Sequence, residues 1–538
     1  MWNQIYTPVA GSLGLSALVA ALPIFALLIA LGVLRAPAWK ASLVGLTTAI
    51  LLALFVYGMP VALVGHSVLY GAAFGLFPIG WIVYAAIVLY RVTVETGKFE
   101  IIKDSVGGLT SDKRLQALLI AFAFGAFLEG ASGFGTPVAV AAAMLTGLGF
   151  TPFYAAAICL LANTSPVAFG SIGIPVITLA GISGLPLRDL SADVGRIVAP
   201  LSLFVPAYIM LVMGGWRALS GVLPAAIVCG VSFAAVQFLV SNYMGPYLTD
   251  ILGSLAAIGG LVLLLQFWKP SNTFAGQGTT ITPVRHRTGE ILLAWMPYLL
   301  LVLFVSLWGL DDVKKVLNAA TNTFAWPGLH NQVIRSVPAV AKATPYPANY
   351  TFNALSAAGT SCFLAAIASA LLLRMSIGKF VGVVGATARQ LFLPLLTIAA
   401  VLGLAYLMNY SGATATLGLA FAATGVLFPF FSGMLGWLGV FLTGSDTSAN
   451  ALFGSLQVIT ANKLQLNPIL MASANSAGGV MGKMISLSSI AVAAAATGMK
   501  AEDEAKLFRF TMRHSIFLAV VIGLVVMFYA YVAPGLVR

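Results

Sequence analysis

Three ionisable residues, Glu129, Asp446 and Lys483, stand inside apolar, glycine-interrupted stretches of a chain whose other apolar stretches are nearly free of charge. Charge is costly in a low-dielectric interior, so such residues are by default candidates for ion or ligand pathways. A carboxyl group in such a cavity can take up and release a proton near neutral pH, which makes Glu129 and Asp446 the proton-coupling candidates. The ammonium of Lys483 would attract a small organic anion. The structural alternative is a static ion pair in which Lys483 and a carboxylate close the site.

The neighbouring residues suit the same task. Gly130-Ala-Ser-Gly-Phe-Gly-Thr136 and Gly444-Ser-Asp-Thr-Ser-Ala-Asn450 each interrupt an apolar run. Glycine lets backbone approach a ligand closely. Ser132, Gly133, Gly135, Thr136, Ser445, Thr447 and Ser448 then offer neutral N–H and O–H donors to a carboxylate or a hydroxyl. Asn163, Thr164 and Ser165 do so at a second interruption, and Asn475 and Ser476 at a third, beside Lys483. An interrupted helix leaves N–H groups free at one end, which attract anions, and C=O groups at the other, which attract cations. His66, Trp81, Trp295 and Trp437 read as packing or interfacial residues. Arg196, Arg217 and Arg389 mark span ends, and Tyr410 and Ser411 are weaker site candidates. Cys159, Cys229 and Cys362 share no CxxC spacing, and four histidines leave little scope for a metal site. No nucleophile–base pair, Walker A or HExxH motif appears, so neither an enzyme nor a bound cofactor is expected.

What positions these residues is a membrane-embedded framework. Of 538 residues 60% are hydrophobic and 8% are charged, against about 25% charged in a soluble domain. The net charge of +12 is spread over short connections without interleaved aromatics, which argues against a nucleic-acid partner. The start of the chain lacks a basic segment and does not read as a cleaved signal peptide. Apolar runs at 13–34, 41–57, 74–90, 197–213, 222–240, 251–267, 291–308, 354–373, 391–408 and 515–533 predict simple spans. The interrupted runs 154–182 and 469–497 predict broken spans, and 115–149 and 428–460 predict re-entrant hairpins. The expected fold is therefore all-α and polytopic, with about 12 transmembrane helices plus the two hairpins. Placing both termini outside puts about two thirds of the 27 Lys and Arg on inner connections. Residues 91–114 then lie along the inner surface, 268–290 form an inner linker, and 309–353 form an outer cap or loop.

The interruptions recur in order. Phe127-Leu-Glu-Gly130-Ala-Ser132 aligns with Phe441-Leu-Thr-Gly444-Ser-Asp446, and Asn163 to Gly170 aligns with Asn475 to Gly482. Their opposite expected orientations predict two inverted repeats, 1–216 and 291–538, joined by two helices and a linker within 217–290.

At these motifs the chain resembles the lactate permease family. The resemblance is carried by Gly125-Ala-Phe-Leu-Glu-Gly-Ala-Ser-Gly-Phe-Gly-Thr-Pro137, Asn163-Thr-Ser-Pro-Val-Ala-Phe-Gly170, Gly436 to Asn450 and Gly479-Val-Met-Gly-Lys-Met-Ile-Ser486, and it spans nearly the whole chain. It implies proton-coupled uptake of L-lactate, with D-lactate and glycolate as related substrates, across the bacterial inner membrane. It also implies membership of the ion transporter superfamily, elevator-like motion and a homodimer. A sodium-coupled carboxylate carrier and a passive anion channel are the rival readings, although one embedded Lys does not make the basic ring of an anion pore.

Overall fold

The computed structural model describes residues 1–133, 135–270 and 286–538. Phe134 of the first hairpin tip, Arg285 and most of the inner linker expected at 268–290 lie outside the described residues. Among the described residues, 12 helices are long and apolar enough to cross a membrane. Two of them, Lys113–Ala131 and Ala413–Thr443, contain the first arms of the hairpins. The bent pair Pro152–Ala162 and Val167–Ser183 is a further candidate crossing, and Ala358–Leu372 is a shorter apolar helix.

Hairpin one rises through Lys113–Ala131 and returns through Thr136–Gly147. The 12-residue return is about 18 Å long, too short for a hydrocarbon core of about 30 Å. Its first arm is apolar and wholly buried inside the protein, as a segment that ends at membrane depth must be. Part of that arm, Ala117–Phe124, is wound as a π-helix. Hairpin two comprises Phe428–Thr443 and Asp446–Leu464. Broken helix one bends by 64° between its halves. At the start of its second half Ser171, Ile172 and Gly173 have φ of 47°, 60° and 76°. A left-handed isoleucine costs about 1–2 kcal/mol, so packing must hold this break in place. Broken helix two consists of Pro468–Lys483 and Leu487–Thr497.

The same order of elements occurs twice. A 35-residue helical stretch, Val61–Glu95 or Ile377–Ser411, leads to a short helix, Lys98–Gly107 or Ala413–Phe421. Hairpin, broken helix and a long helix follow, Leu187–Gly221 in the first repeat and Ala501–Tyr531 in the second. Helices Leu223–Tyr243 and Thr249–Phe267 link the repeats. The repeats exchange partners: the return of hairpin one packs on the second half of broken helix two, and the return of hairpin two on that of broken helix one.

Hydrogen bonds tie the connections to one another. Trp2 and Asn3 pair in parallel with Val333 and Ile334 of the long loop. Asn467 donates to the Arg538 carbonyl at 2.5 Å, and the Arg538 N–H reaches Asp193 at 2.9 Å. The N-terminus thus pairs with the long loop, and the C-terminus is held by the connections beside Asp193 and Asn467. In a further set of connections, Lys379 donates to the Glu95 carbonyl at 2.5 Å and His286 pairs with Asp104 at 2.8 Å.

Several boundaries differ from expectation. The span expected at 74–90 begins at Val61 and passes through an extended residue, Phe77 (φ −141°, ψ 123°), before Pro78. Gly58, Pro60, Gly65, His66 and Gly71 dilute its apolar signal, yet tertiary packing keeps the segment helical. Packing likewise extends the span expected at 197–213 to Leu187–Gly221, kinked at Gly214 and Gly215, and that at 391–408 to Ile377–Ser411. Residues 309–353, expected as a cap or loop, hold the helix Asp311–Asn318 and short strands, including Asn322–Ala325 paired with Asn349–Phe352.

Candidate functional site

Each hairpin tip rests on the break of its own repeat. In the first, Ser171 Oγ donates to the Ser132 carbonyl at 2.9 Å. Gly133 has φ +59°, and a Cβ there would strike Ser171 Oγ, so the tip needs glycine. In the second, Gly444 has φ +73° and faces Ser488 in the same way. Ser445 Oγ accepts from the Ser448 N–H at 3.2 Å and so caps the return helix.

The three charges converge on these tips. Glu129, 5% exposed, accepts from Asn163 Nδ2 at 2.9 Å. Its other oxygen lies against Gly170, where an added Cβ would sit 2.6 Å away. Asp446, 3% exposed, accepts from Ser476 Oγ at 2.6 Å and from Asn450 Nδ2 at 3.3 Å. Lys483 Nζ donates to the Gly444 carbonyl at 2.6 Å. It feels the fields of both Glu129 and Asp446, yet no ion pair with either forms among the described residues. The static ion pair is thus not the arrangement seen. Lys483 instead anchors the second tip through the Gly444 carbonyl, within the electrostatic reach of both carboxyl groups.

Asn450 ties the halves together: its Nδ2 lies 3.1 Å from the Pro175 carbonyl of broken helix one and 3.1 Å from Ser476 Oγ. Asn475 donates to Asn450 Oδ1 at 2.9 Å and accepts from Gln457 Nε2 at 3.0 Å. Ser432 Oγ donates to Gln457 Oε1 at 2.8 Å. Two buried interhelical amides satisfied in this way hold the hairpin against the broken helix.

The sequence-predicted donors separate into two groups. Ser445, Thr447 and Ser448 line one cavity, together with Ala451 and Ile174. Its opposite wall is Ile398, Val401 and Leu402 of the long helix Ile377–Ser411. The cavity therefore takes its hydroxyl groups from the hairpin and most of its aliphatic lining from Ile174 and the long helix. Gly135 and Thr136 lie half-buried at tip one. The remaining donors are turned inward: Ser132 Oγ to the Leu128 carbonyl at 2.9 Å, Thr164 Oγ1 to the Leu161 carbonyl at 2.7 Å, and Ser476 to Asp446. Ser165 offers its carbonyl to Gln237 Nε2 at 2.9 Å, while its hydroxyl has no partner among the described residues. Sequence reasoning missed Asp250, Gln237 and Gln457 as members of this neighbourhood, and it read Asn450 only as part of the second tip. For the two glutamines a signal existed, since a lone amide inside an apolar run needs an internal partner. No group of three or more His, Cys, Asp or Glu able to hold a metal ion occurs among the described residues.

Comparison with known proteins finds relatives along nearly the whole chain. Residues 16–533 match the family model described as L-lactate permease. The glycolate permease GlcA of Escherichia coli (strain K12) is 46% identical over 99% of both chains. An L-lactate permease of Bacillus subtilis (strain 168) is 46% identical over 97% of both, and one of Salmonella typhimurium is 44% identical over the full length of both.

Proposed function

The chain belongs to the L-lactate permease family, and on that premise we propose that it takes up L-lactate, and related small 2-hydroxymonocarboxylates such as D-lactate and glycolate, together with protons across a bacterial inner membrane. It is a multi-pass membrane transporter and not an enzyme. The observation that carries the substrate reading is the two-sided cavity at the second hairpin tip. Ser445, Thr447 and Ser448 can hydrogen-bond a carboxylate and a 2-hydroxyl. Ile174, Ile398, Val401 and Leu402 offer an apolar wall to a methyl group. Lys483, at the same tip, supplies positive potential for the carboxylate.

The coupling reading follows from charge. An anion entering a low-dielectric enclosure needs a companion positive charge. Lys483 already stands among Glu129 and Asp446, so a further negative charge is best accompanied by a proton on one of those carboxyl groups. The cavity lies at the seam between the hairpin body and the long helix Ile377–Ser411, where a body sliding against a scaffold would open it to either side. The termini and the long loop face the periplasm in this reading, and two copies of the chain associate.

Glu129→Gln and Asp446→Asn test the assignment in proteoliposomes. Loss of accumulation against the lactate gradient, with counterflow exchange retained, is expected for the variant that removes the proton carrier. If both variants still concentrate lactate, neither carboxyl group is obligatory and the coupling reading fails. A sodium-coupled carrier is the rival. Replacing sodium by choline separates the two.

A further inference from the structure

Asp250 opens the second linking helix, outside both repeats, and is 1% exposed. Neither of its carboxyl oxygens has a hydrogen-bond partner among the described residues. It packs directly on hairpin one: a Cβ added at Gly130 would stand 2.7 Å from Asp250 Cβ. Gly130 follows Glu129, whose charge Asp250 feels. Two buried carboxyl groups therefore flank this end of the first hairpin.

The surroundings are rich in unused acceptors. Asn163, which holds Glu129 through its amide nitrogen, leaves Oδ1 unpartnered. Gln237, which donates to the Ser165 carbonyl, leaves Oε1 without a partner among the described residues, as does the Ser165 hydroxyl. Asn163, Ser165 and Gln237 are all buried. The elements packed on the Asp250 helix are the first linking helix, the π-wound arm Ala117–Phe124, the segment Gly125–Ala131 and the second half of broken helix one. Their titratable side chains are Cys229, Tyr243 and Glu129, and they carry no Lys, Arg or His. Lys483, the nearby embedded cation, also acts on Glu129 through space, while its ammonium is hydrogen-bonded to the Gly444 carbonyl at the other tip.

Two buried carboxyl groups on one hairpin end, one of them held by an amide with an unpaired acceptor, are the complement of a cation. We propose that Asp250 and Glu129, with Asn163, Ser165 and Gln237 around them, form the binding site of a monovalent coupling cation, a proton or a sodium ion. The two tips then divide the work. Tip two, with Lys483 and its hydroxyl groups, receives the anion, and tip one receives the cation. The assignment rests on the coupled-carrier reading, but it is read out separately from transport.

The test uses the full chain, purified in detergent and studied by infrared difference spectroscopy. In sodium-free choline buffer, the wild type is expected to show a protonated-carboxyl carbonyl band that titrates with pH. In Asp250→Asn that band is lost or its cation affinity falls by about tenfold or more. Sodium added at constant pH distinguishes the sources. Removal of the band in the wild type and not in Asp250→Asn assigns sodium, whereas indifference to sodium assigns the proton. Asp250→Glu keeps the carboxyl group and is expected to retain a titrating band, which covers the case in which the amide variant does not fold. An identical band and identical titration in wild type and Asp250→Asn overturn the proposal. Wild-type protein that shows the band but accumulates lactate under neither gradient would sink the transport reading and leave the cation site standing.

Discussion

Replacing Lys483 by Met asks whether the embedded ammonium serves the substrate or only the fold. Its Nζ lies 2.6 Å from the Gly444 carbonyl, at the tip whose next residues line the cavity. A carboxylate brought to about 4 Å from it would gain about 4 kcal/mol at an effective dielectric of about 20. The ammonium is already partly engaged, so the net value of a charge-assisted hydrogen bond, about 1.5–3 kcal/mol, is the better guide. Lys483→Met should therefore raise the KM for L-lactate by about tenfold to about a hundredfold. The Gly444 carbonyl also loses a donor, which lowers thermal stability independently of substrate. The assay is initial-rate counterflow of labelled lactate in proteoliposomes, with a melting curve on the same preparations. A KM within twofold of wild type, alongside a lowered melting temperature, would show that Lys483 only anchors the tip.

Other expectations concern the framework and the membrane frame. Gly478 faces Gly433 backbone to backbone, and a Cβ there would lie 2.6 Å from the Gly433 Cα. Gly478→Val should cost at least about 1–3 kcal/mol and reduce the yield of folded protein in size-exclusion chromatography; a normal yield and melting point would contradict this close approach. Gly173 combines φ +76° with a Cβ position 2.7 Å from Pro246, so Gly173→Ala should lower the melting temperature, and an unchanged value would refute the strained break. The three native cysteines are buried, so single cysteines can report sidedness against a quiet background. Asp312→Cys, in the long loop, should react with a membrane-impermeant thiol reagent in intact cells. Glu100→Cys, on the opposite face, should react only after permeabilisation, and the reverse result would invert the orientation.

Much of this architecture was legible because the interruptions are chemically distinctive. Clustered Gly, Ser and Thr in an apolar run cannot continue as a lipid-facing helix, so both hairpins and both broken helices announce themselves. The recurrence from Phe127 and from Phe441 exposed the repeat. Helix Val61–Phe74 was obscured because its glycines and His66 weaken the apolar signal that packing against the helix Ile377–Ser411 replaces. Asp250 was hidden for a different reason. An acidic residue in the first turn of a helix is favoured by the helix dipole and reads as an interfacial cap. Only the packing of that helix against Gly130 shows it to be buried beside Glu129. Likewise Asn475 has the residue type of a ligand donor, but its partners Asn450 and Gln457 lie across a tertiary contact that no local pattern encodes.

The central claim is that lactate and a proton cross together. Its most direct measurement is uptake of labelled L-lactate by proteoliposomes in sodium-free buffer, with an imposed pH gradient, alkaline inside. Lactate should accumulate above its equilibrium ratio, and a protonophore that collapses the gradient should abolish the accumulation. Accumulation that is the same with and without the gradient, or that appears only when sodium is supplied, would contradict the account.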